Sequence, residues 1–407
     1  MRRKTSRIET LAVHSGDRKK LGDYVPVTTP IYAASSFFYE RIEDLDSVFD
    51  DAKPGQTYSR FGNPTCEALE DLSATLEGAD FAVATSSGMA ALRLALLVAM
   101  VDRRRRILAS RDLYGQTLSL LLNVLEPQGV EVFFGDPCDI ESWESLIVEH
   151  QPSCVLFETI SNPMLRVPST DRLCELHRRN NVVTVVDSTF TTPVLMRPLD
   201  LGADIVIHSA TKFLAGHGDA LGGLLLAAEP FRQAVTLLNR TIGPNLGPFE
   251  AYITMRGMKT LVLRMEEQCA NARRVAARLS QLEGVTRVHF PGDPAHPDHA
   301  TAARLFPEGL FGSLISFDLE GGKERAFAFA DTLKLALPAT SLGDVHTMIL
   351  HPATSSHRDL APKRRHRLGI GDGLLRLSVG IEHVEDIVAD LEQALVLSAS
   401  AAEKAPS

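Results

Sequence analysis

Short apolar segments rich in β-branched residues recur along the chain from about residue 80 to residue 227. They are spaced by roughly 20 to 25 residues, and the segments between them have the periodicity of helices. This spacing is typical of strand, crossover helix and parallel strand, and strands that are apolar on both faces indicate a sheet covered on both sides. The pattern therefore predicts an α/β unit whose strands lie at residues 81–85, 106–110, 130–134, 154–158, 182–187, 204–208 and 222–227.

The two flanks of this unit have different patterns. Residues 1–60 contain many aromatic residues, prolines and polar turns with weak periodicity, as expected of an arm that packs on a neighbouring subunit. A long helical stretch at 251–282 is followed by three strand-like segments and a final amphipathic helix at 384–397. We therefore predict an N-terminal arm at 1–60, an α/β domain at 61–255 and a smaller α+β domain at 256–407.

The composition of the chain narrows its class. Its 407 residues, 44% of them hydrophobic, are enough to bury a large core. The net charge of -9 argues against nucleic acid or an anionic membrane as the main partner. The five cysteines lack any C-x-x-C pair, which argues against a disulfide framework, and no segment approaches the ~18 apolar residues of a membrane span. We therefore expect a cytoplasmic protein.

Polar side chains follow several of the predicted strands at the point where each strand ends. Ligands of parallel sheets bind at the carboxyl ends of the strands, so these side chains are expected to share one site. They are Ser87, Tyr114, Glu158, Asp187 and Lys212. Of these, Lys212 directly follows a strand and has two hydroxyl residues, Ser209 and Thr211, on its N-terminal side.

These residue types fit a phosphorylated aldehyde cofactor with a pyridine ring. An aldehyde needs a lysine amine for a Schiff base, and its phosphate needs hydroxyl and N–H donors. A carboxylate such as Asp187 would keep a pyridine nitrogen protonated, so that the ring accepts electrons. Taken alone, a lysine after a strand is more typical of a surface residue than of a cofactor site. Asp187 alone could equally be a helix N-cap or a structural partner. The combination of Lys212 and Asp187 favours the cofactor site.

The run TSSGMAALRLALL predicts a helix whose N-terminus offers N–H groups to a phosphate at Ser87, Gly88 and Met89. An ordinary capped helix explains the same pattern. The phosphate-binding motifs G-x-x-x-x-G-K-[ST] and an early G-x-G-x-x-G are absent from the sequence, which argues against nucleotide binding. Tyr114 has two open interpretations, a ring that stacks on the cofactor or a side chain packed at a helix start.

Arg376 lies within the apolar segment LLRLSVG, where an unpaired guanidinium would be costly. A carboxylate partner is expected, from the protein or from a substrate. His296 and His299 lie in a loop rich in Pro and Asp without H-E-x-x-H or a matching ligand cluster, so we predict no metal site there.

The chain resembles the Cys/Met-metabolism family of pyridoxal-phosphate enzymes, which includes cystathionine γ-synthase, cystathionine lyases, methionine γ-lyase and O-acylhomoserine sulfhydrylases. The likeness extends from about residue 8 to residue 398. It implies a type I aminotransferase-like α/β fold with a mostly parallel sheet. It also implies a tetramer built from dimers, in which residues of two chains share each active site. The segments that carry it are YSRFGNPT, SSGMAA, DLYGQT, ETISNP, VVDSTF, HSATKFLAGHGDALGG, RGMKTLVLRM, SLGDVHTMILHPATSSH and RLSVGIE.

The resemblance also implies roles for individual residues. Lys212 would hold the cofactor and move protons, Asp187 would pair with the pyridine nitrogen, and Tyr114 would stack on the ring. The phosphate would be bound by Gly88, Met89, Ser209 and Thr211, and from the adjacent subunit by Tyr58 and Arg60. The substrate α-carboxylate would be bound by Arg376, Ser341 and Asn162.

The implied reaction is removal of the α-proton by Lys212, followed by loss of a γ-substituent from a sulfur-containing or homoserine-derived amino acid. Members that act on cystathionine commonly carry a glutamate where this chain has His346, and methionine γ-lyases a cysteine where it has Gln116. We expect γ-elimination, with γ-replacement as the alternative, and expect His346 to influence the substrate range. A Rossmann-type dehydrogenase and a non-catalytic binding protein on the same fold are the competing hypotheses from other classes.

Overall fold

The structure is a computed structural model that describes residues 6–20, 23–50 and 52–402. Its strands are β1 (Phe81–Thr85), β2 (Arg106–Ser110), β3 (Glu131–Gly135), β4 (Cys154–Glu158), β5 (Val183–Asp187), β6 (Ile205–Ser209), β7 (Gly223–Ala227), β8 (Val285–His289), β9 (Leu314–Leu319), β10 (Leu337–Pro338), β11 (Met348–Leu350) and β12 (Leu374–Ser378). Its helices are α1 (Ile8–His14), α2 (Ile42–Phe49), α3 (Pro64–Glu77), α4 (Gly88–Ala99), α5 (Gly115–Ser119), α6 (Ile140–His150), α7 (Thr170–Arg179), α8 (Thr192–Leu195), α9 (Arg232–Ile242), α10 (Pro248–Met258), α11 (Leu261–Leu279), α12 (His299–Leu305), α13 (Gly322–Thr332), α14 (Pro362–Arg367) and α15 (Val384–Ala402).

The larger sheet has seven strands in the order β1-β7-β6-β5-β4-β2-β3. Strands β3, β2, β4, β5 and β6 pair in parallel, as the apolar pattern predicts. Strand β7 runs antiparallel to both β1 and β6. The connection from β6 to β7, residues 210–222, contains no helix, and a parallel return would need a crossover of about a dozen residues or more that usually forms one. The result is a mostly parallel sheet with Lys212 on a direct connection between neighbouring strands.

Helices cover both faces of this sheet. On one face, α4 packs Leu92 and Leu96 against Ile207 of β6. On the other face, Trp143 of α6 and Leu173 of α7 belong to a second buried cluster. Helix α4 begins where the Ser87 side chain accepts a hydrogen bond from the Ala90 N–H at 3.2 Å. The continuous apolar character of the strands follows from this two-sided burial.

The smaller sheet has the order β10-β11-β12-β9-β8. Strands β11, β12, β9 and β8 pair antiparallel, whereas β10 pairs parallel to β11. Its core joins Phe317 and Leu375 from the sheet to Phe329 of α13 and Leu391 of α15. This is the smaller α+β unit expected after the larger sheet. The proposed boundary between residues 255 and 256 falls inside α10, and the domain limits stay a prediction.

The long helical stretch predicted at 251–282 is divided in the structure into α10 and α11, with a break between them. The Gly257 carbonyl at the end of α10 accepts hydrogen bonds from the Thr260 N–H at 3.2 Å and from Arg264 Nη2 at 2.9 Å. Arg264 also donates to the Phe213 carbonyl at 2.7 Å. The hydrogen bonds of Arg264 therefore hold both helices against the segment that follows Lys212.

The N-terminal arm divides into two parts. Ala12 of α1 is buried in the same core cluster as Leu72 of α3, so the start of the arm packs on its own chain. Farther along, Val27 is 76% exposed and Phe38 is 89% exposed. Contact of this second part with a neighbouring subunit stays a prediction. Across the described part of the chain, no helix has the length and apolar character of a membrane span.

Candidate active site

A cavity of about 540 Å³ lies at the carboxyl ends of the central strands of the larger sheet. The smaller sheet contributes Arg376 to its wall. The strand-end residues that the sequence predicts to meet there all line it, namely Ser87, Tyr114, Glu158, Asp187 and Lys212. Further predicted site residues in the lining are Gly88, Met89, Asn162, Ser209 and Thr211. The volume is in the range of sites that enclose small ligands.

Lys212 lies in the turn that follows β6, where its N–H donates to the Ser209 carbonyl at 3.1 Å. Its Nζ donates to Ser341 Oγ at 3.0 Å. Burial, together with the positive charge of Arg376, lowers the pKa of Lys212 to about 8. More of the amine is therefore neutral and nucleophilic near neutral pH than in an ordinary lysine.

Asp187 and Glu158 end neighbouring strands and are register partners in the β4–β5 pair. Asp187 Oδ1 accepts from the Thr189 N–H at 3.0 Å and from the Thr189 hydroxyl at 2.6 Å. Burial raises the pKa of Asp187. Its Oδ2 has no hydrogen-bond partner among the described residues. Asp187 therefore lines the cavity with one fixed and one unpaired oxygen.

Glu158 connects two other residues of the cavity. Its Oε1 accepts from the Tyr114 N–H at 2.7 Å, and its Oε2 accepts from the Asn162 N–H at 3.1 Å. Burial and then the nearby Asp187 carboxyl raise the pKa of Glu158 well above its usual range. The sequence indicates Glu158 only as a strand-end residue and gives it no role. Its structural role is to hold Tyr114 and Asn162 relative to each other.

Arg376 is 2% exposed and lies in β12. Its Nη1 donates to Asn162 Oδ1 at 2.9 Å, and its Nη2 donates to the Ser341 carbonyl at 3.3 Å. Its Nε is buried without a partner. No carboxylate forms an ion pair with Arg376 in the part of the chain that the structure describes. Burial lowers the pKa of Arg376 to about 10. The guanidinium is thus free to bind a ligand carboxylate.

The start of α4 lies against the end of β6. A Cβ atom at Gly88 would come 2.8 Å from the Ser209 Cβ, so glycine permits this approach. As first-turn residues, Gly88 and Met89 have N–H groups without an intrahelical acceptor, and no other described residue accepts from them. The Ser209 hydroxyl also lacks a partner within residues 6–20, 23–50 and 52–402. These unpaired donors lie at a helix start, where backbone N–H groups and the helix dipole are suited to an anion.

Thr211 is used differently from Ser209. Its hydroxyl donates to the Gly222 carbonyl at 3.2 Å and accepts from the Gly222 N–H at 3.0 Å. These bonds tie the start of the 210–222 connection to its end. Thr211 lines the cavity, but its hydroxyl proton is already donated to the Gly222 carbonyl.

Ser341 is outside the cavity lining but accepts a hydrogen bond from Lys212 Nζ at 3.0 Å. Tyr58, Arg60 and His346, also singled out from the sequence, lie outside the lining as well. Arg60 donates to the Arg240 carbonyl, and its guanidinium lies 4.8 Å from the centre of the Phe61 ring. Tyr58 is exposed beside it. His346 is mostly exposed, with Nδ1 3.0 Å from Asp344 Oδ1. The single chain therefore does not bring these three residues to the cavity.

Part of the cavity wall was not predicted from the sequence. Residues 354–356 and Arg358, from the connection after β11, line the cavity. Residues 354–356 belong to the motif HPATSSH and Arg358 directly follows it, but no periodicity or strand-end position indicates their contact with the larger sheet. Gln116, noted only for its departure from a family pattern, is also in the lining.

The fold and the site are those of an α/β protein whose cavity contains a lysine amine of lowered pKa and, among the described residues, a guanidinium without a carboxylate partner. Comparison with known proteins gives the family. The sequence profile of the Cys/Met metabolism PLP-dependent enzyme family matches residues 9–396. This chain belongs to that family.

Named relatives cover nearly the whole chain. It is 40% identical over 389 residues to an L-methionine γ-lyase of Fusobacterium nucleatum subsp. polymorphum, covering 95% of this chain and 97% of that protein. It is 38% identical over 391 residues to an O-succinylhomoserine sulfhydrylase of Pseudomonas aeruginosa, covering 95% and 94%. The crystal structure of cystathionine γ-synthase from Xanthomonas oryzae pv. oryzae in complex with cystathionine superposes with a TM-score of 0.91 at 36% identity, covering 97% and 99%.

These comparisons confirm the family, the fold class and the cofactor predicted from the sequence. The chain is a pyridoxal-phosphate-dependent lyase or transferase of sulfur amino-acid metabolism that acts at the γ-carbon. The hypotheses of a Rossmann-type dehydrogenase and of a non-catalytic binding protein are not supported.

The backbone and side-chain groups that line the cavity fit pyridoxal phosphate. The start of α4 has two unpaired N–H groups suited to a phosphate. Asp187 has an unpaired oxygen suited to a ring nitrogen, and Lys212 has an amine of lowered pKa suited to an aldehyde. All three features line one cavity.

Proposed function

We propose that the chain catalyses γ-elimination on an L-amino acid, in which water is consumed and the protonated γ-substituent, a 2-oxo acid and ammonia are released. The observation that carries the proposal is the position of Ser341. Its hydroxyl accepts from Lys212 Nζ at 3.0 Å, and its carbonyl accepts from Arg376 Nη2 at 3.3 Å. A carboxylate held by Arg376 would therefore place its α-carbon near the lysine amine.

Lys212 would hold pyridoxal phosphate in the resting enzyme, and the cofactor would supply an electron sink for the substrate α-carbon once the lysine amine is released. We infer that Asp187 pairs with the pyridine nitrogen and that Tyr114 stacks on the ring. Gly88, Met89 and Ser209 would bind the phosphate at the start of α4, joined by Thr211 if its hydroxyl leaves Gly222. The free N–H groups at α4 and the unpaired oxygen of Asp187 support these assignments.

Lys212 would take the proton from the α-carbon and then move a proton at the β-carbon. Its pKa of about 8 supports both directions of transfer near neutral pH. Burial raises the pKa of Tyr114, so its phenol stays protonated and can donate to the departing group. Arg376 and Asn162 would fix the carboxylate while Ser341 orients the amine.

We further infer a homotetramer built from two dimers, in which Tyr58 and Arg60 reach the phosphate of the adjacent subunit. Their exposure on this chain, away from its own cavity, supports a contribution in trans. The exposed apolar residues Val27 and Phe38 support an arm that packs on another subunit. A cytoplasmic location is proposed because all five cysteines are unbridged.

γ-Replacement is the second candidate. It is supported by the polar side of the cavity, where Gln116 and Ser356 lie in the lining. The similarity to the Pseudomonas aeruginosa sulfhydrylase supports it as well. Elimination and replacement share the proton transfers of Lys212 and differ in whether a thiol enters.

The purified holoenzyme should be incubated with L-methionine, L-cystathionine, L-cysteine, and O-acetyl- and O-succinyl-L-homoserine, with and without sulfide. We expect 2-oxo acid without added thiol, and none with Lys212→Ala. Thioether or thiol formation only when sulfide is present would establish replacement instead of elimination. No product of either kind from any of these amino acids would overturn the proposed function.

A further inference from the structure

The connection between β11 and α14, residues 351–361, spans the two sheets; it is called the bridging loop below. It leaves the smaller sheet at Leu350, the register partner of Arg376. It then reaches the start of α5, where Gly115 leaves no room for a Cβ atom against the Ser356 carbonyl oxygen. Gln116 Nε2 donates to Asp359 Oδ2 at 3.3 Å. The loop therefore runs from the Arg376 side of the cavity to the Tyr114 side.

The bridging loop is held at several points. His351 contacts the Thr354 hydroxyl at 2.9 Å and the Asp372 carbonyl at 2.8 Å through its two ring nitrogens. His357 is buried, and Leu360 belongs to the core cluster on the α4 face of the larger sheet. These contacts fix the backbone that presents Ser355, Ser356 and Arg358 to the cavity.

Arg358 is an exposed cation in the cavity wall. Within the described ranges, no acidic side chain pairs with its guanidinium. The neighbouring carboxylate, Asp359, is bonded to Gln116. The lining around Arg358 also includes Ser356 and Gln116, whose hydroxyl and amide groups can donate hydrogen bonds, and Ser355, whose hydroxyl already donates to the His351 carbonyl at 2.5 Å. The cavity thus contains two guanidinium groups, Arg376 and Arg358, without carboxylate partners.

We propose that Arg358 determines specificity by binding a carboxylate at the far end of the γ-substituent, while Arg376 binds the α-carboxylate. This inference rests on the proposed function and names its substrate class, a homoserine ester whose acyl group ends in a carboxylate. Arginine matches carboxylates through paired N–H donors. A distal amino acid, as in cystathionine, fits less well, because its ammonium would lie beside the guanidinium and Asp359 is already bonded to Gln116.

The test compares O-succinyl- with O-acetyl-L-homoserine in the wild-type holoenzyme and in Arg358→Gln. The two esters share the γ-oxygen and differ by the terminal carboxylate. We expect Arg358→Gln to lower kcat/KM for the succinyl ester by about tenfold or more and to leave the acetyl ester within about twofold. Arg358→Lys should recover part of the loss, and Arg364→Gln, which removes the arginine over the Phe134 ring, serves as the matched control.

Binding without turnover provides a second measurement. L-2-Aminooctanedioate and L-2-aminooctanoate lack a leaving group and differ by one distal carboxylate. Calorimetric titration of the wild type should show about tenfold tighter binding of the dioate, and Arg358→Gln should abolish the difference. This binding measurement does not depend on catalytic turnover. The comparison of the two ligands in the wild type also does not depend on how well a variant folds.

The outcomes separate the two proposals. If no amino acid is turned over but the dioate preference exists and depends on Arg358, the proposed function fails and the distal subsite stands. Equal use of both esters by the wild type, or equal losses for both in Arg358→Gln, would overturn the role of Arg358 and leave the reaction intact. A loss confined to cystathionine would overturn the acyl carboxylate as the group bound.

Discussion

Arg376 Nη1 lies 2.9 Å from Asn162 Oδ1, so the guanidinium of the smaller sheet is bonded to an amide that follows β4 in the larger sheet. The Asn162 N–H is held in turn by Glu158. This contact joins the two sheets at the point where we place the substrate carboxylate. It uses one N–H group of Arg376 and leaves Nε unpaired.

Replacement of Arg376 by alanine is predicted to impair every amino-acid substrate. Loss of a buried charge-assisted pair typically costs about 2 to 5 kcal/mol, or roughly 30- to 4,000-fold in kcat/KM. Arg376→Lys should recover little, because an ammonium lacks the planar pair of donors. Steady-state kinetics with a methyl ester of the substrate provides the control, since the ester has no carboxylate to lose. A lower melting temperature with unchanged kcat/KM would show that Arg376 is structural.

The lowered pKa of Lys212 predicts the pH dependence of its reactivity in the cofactor-free protein. Only the neutral amine is nucleophilic, so a folded pKa of about 8 lets half of the maximal rate appear near pH 8, below the usual lysine value. The rate of dinitrophenylation at Lys212, followed by mass spectrometry of its peptide, measures the midpoint. Arg376→Met removes a positive charge and should raise that midpoint. A midpoint above pH 10 in the wild type would contradict the effect of burial.

Glu158 is predicted to act as a positioning residue. Glu158→Ala leaves the part-buried N–H of Tyr114 and the buried N–H of Asn162 without acceptors, and the buried one costs about 1 to 3 kcal/mol. We expect a lower melting temperature, weaker cofactor binding by fluorescence titration and a raised KM. Glu158→Gln keeps one acceptor and should be milder. Glu141→Ala, on the exposed surface of α6, is the control. Unchanged cofactor affinity and KM in Glu158→Ala would refute the positioning role.

The shared active site predicts recovery of activity by subunit exchange. Arg60→Ala should weaken cofactor retention and Lys212→Ala should abolish turnover. In a hybrid dimer, one pocket receives both native residues, so random exchange restores about one quarter of the pockets. Activity and visible absorbance of the mixture report the recovery, with unmixed variants as controls. No recovery after native mass spectrometry shows exchanged dimers would mean that Arg60 serves no neighbouring pocket.

The strands of the larger sheet were predictable because burial on both faces makes each one a continuous apolar run. β4, for example, has the predicted limits Cys154–Glu158. The break between α10 and α11 was not predictable from periodicity. It depends on hydrogen bonds from Arg264 to the carbonyls of Gly257 and Phe213, which are distant from one another in the sequence.

The same difference applies to the site. Asp187 and Lys212 were predictable, because parallel strands place their carboxyl ends at one edge. The contribution of the bridging loop was not predictable, because it depends on how the loop packs against the start of α5. Glu158 occupies a predictable position, but its two hydrogen bonds to Tyr114 and Asn162 depend on loops that no pattern describes.

The antiparallel direction of β7 has a consequence for the lysine itself. Residues 210–222 return directly to the neighbouring strand, and Thr211 and Gly222 bond to each other where that return closes. The backbone of Lys212 is therefore clamped from two sides, whereas its side chain is a flexible tether of four methylene groups. The Lys212 amine can therefore release one covalent partner and bind another in each catalytic cycle, while its backbone and the sheet stay in place.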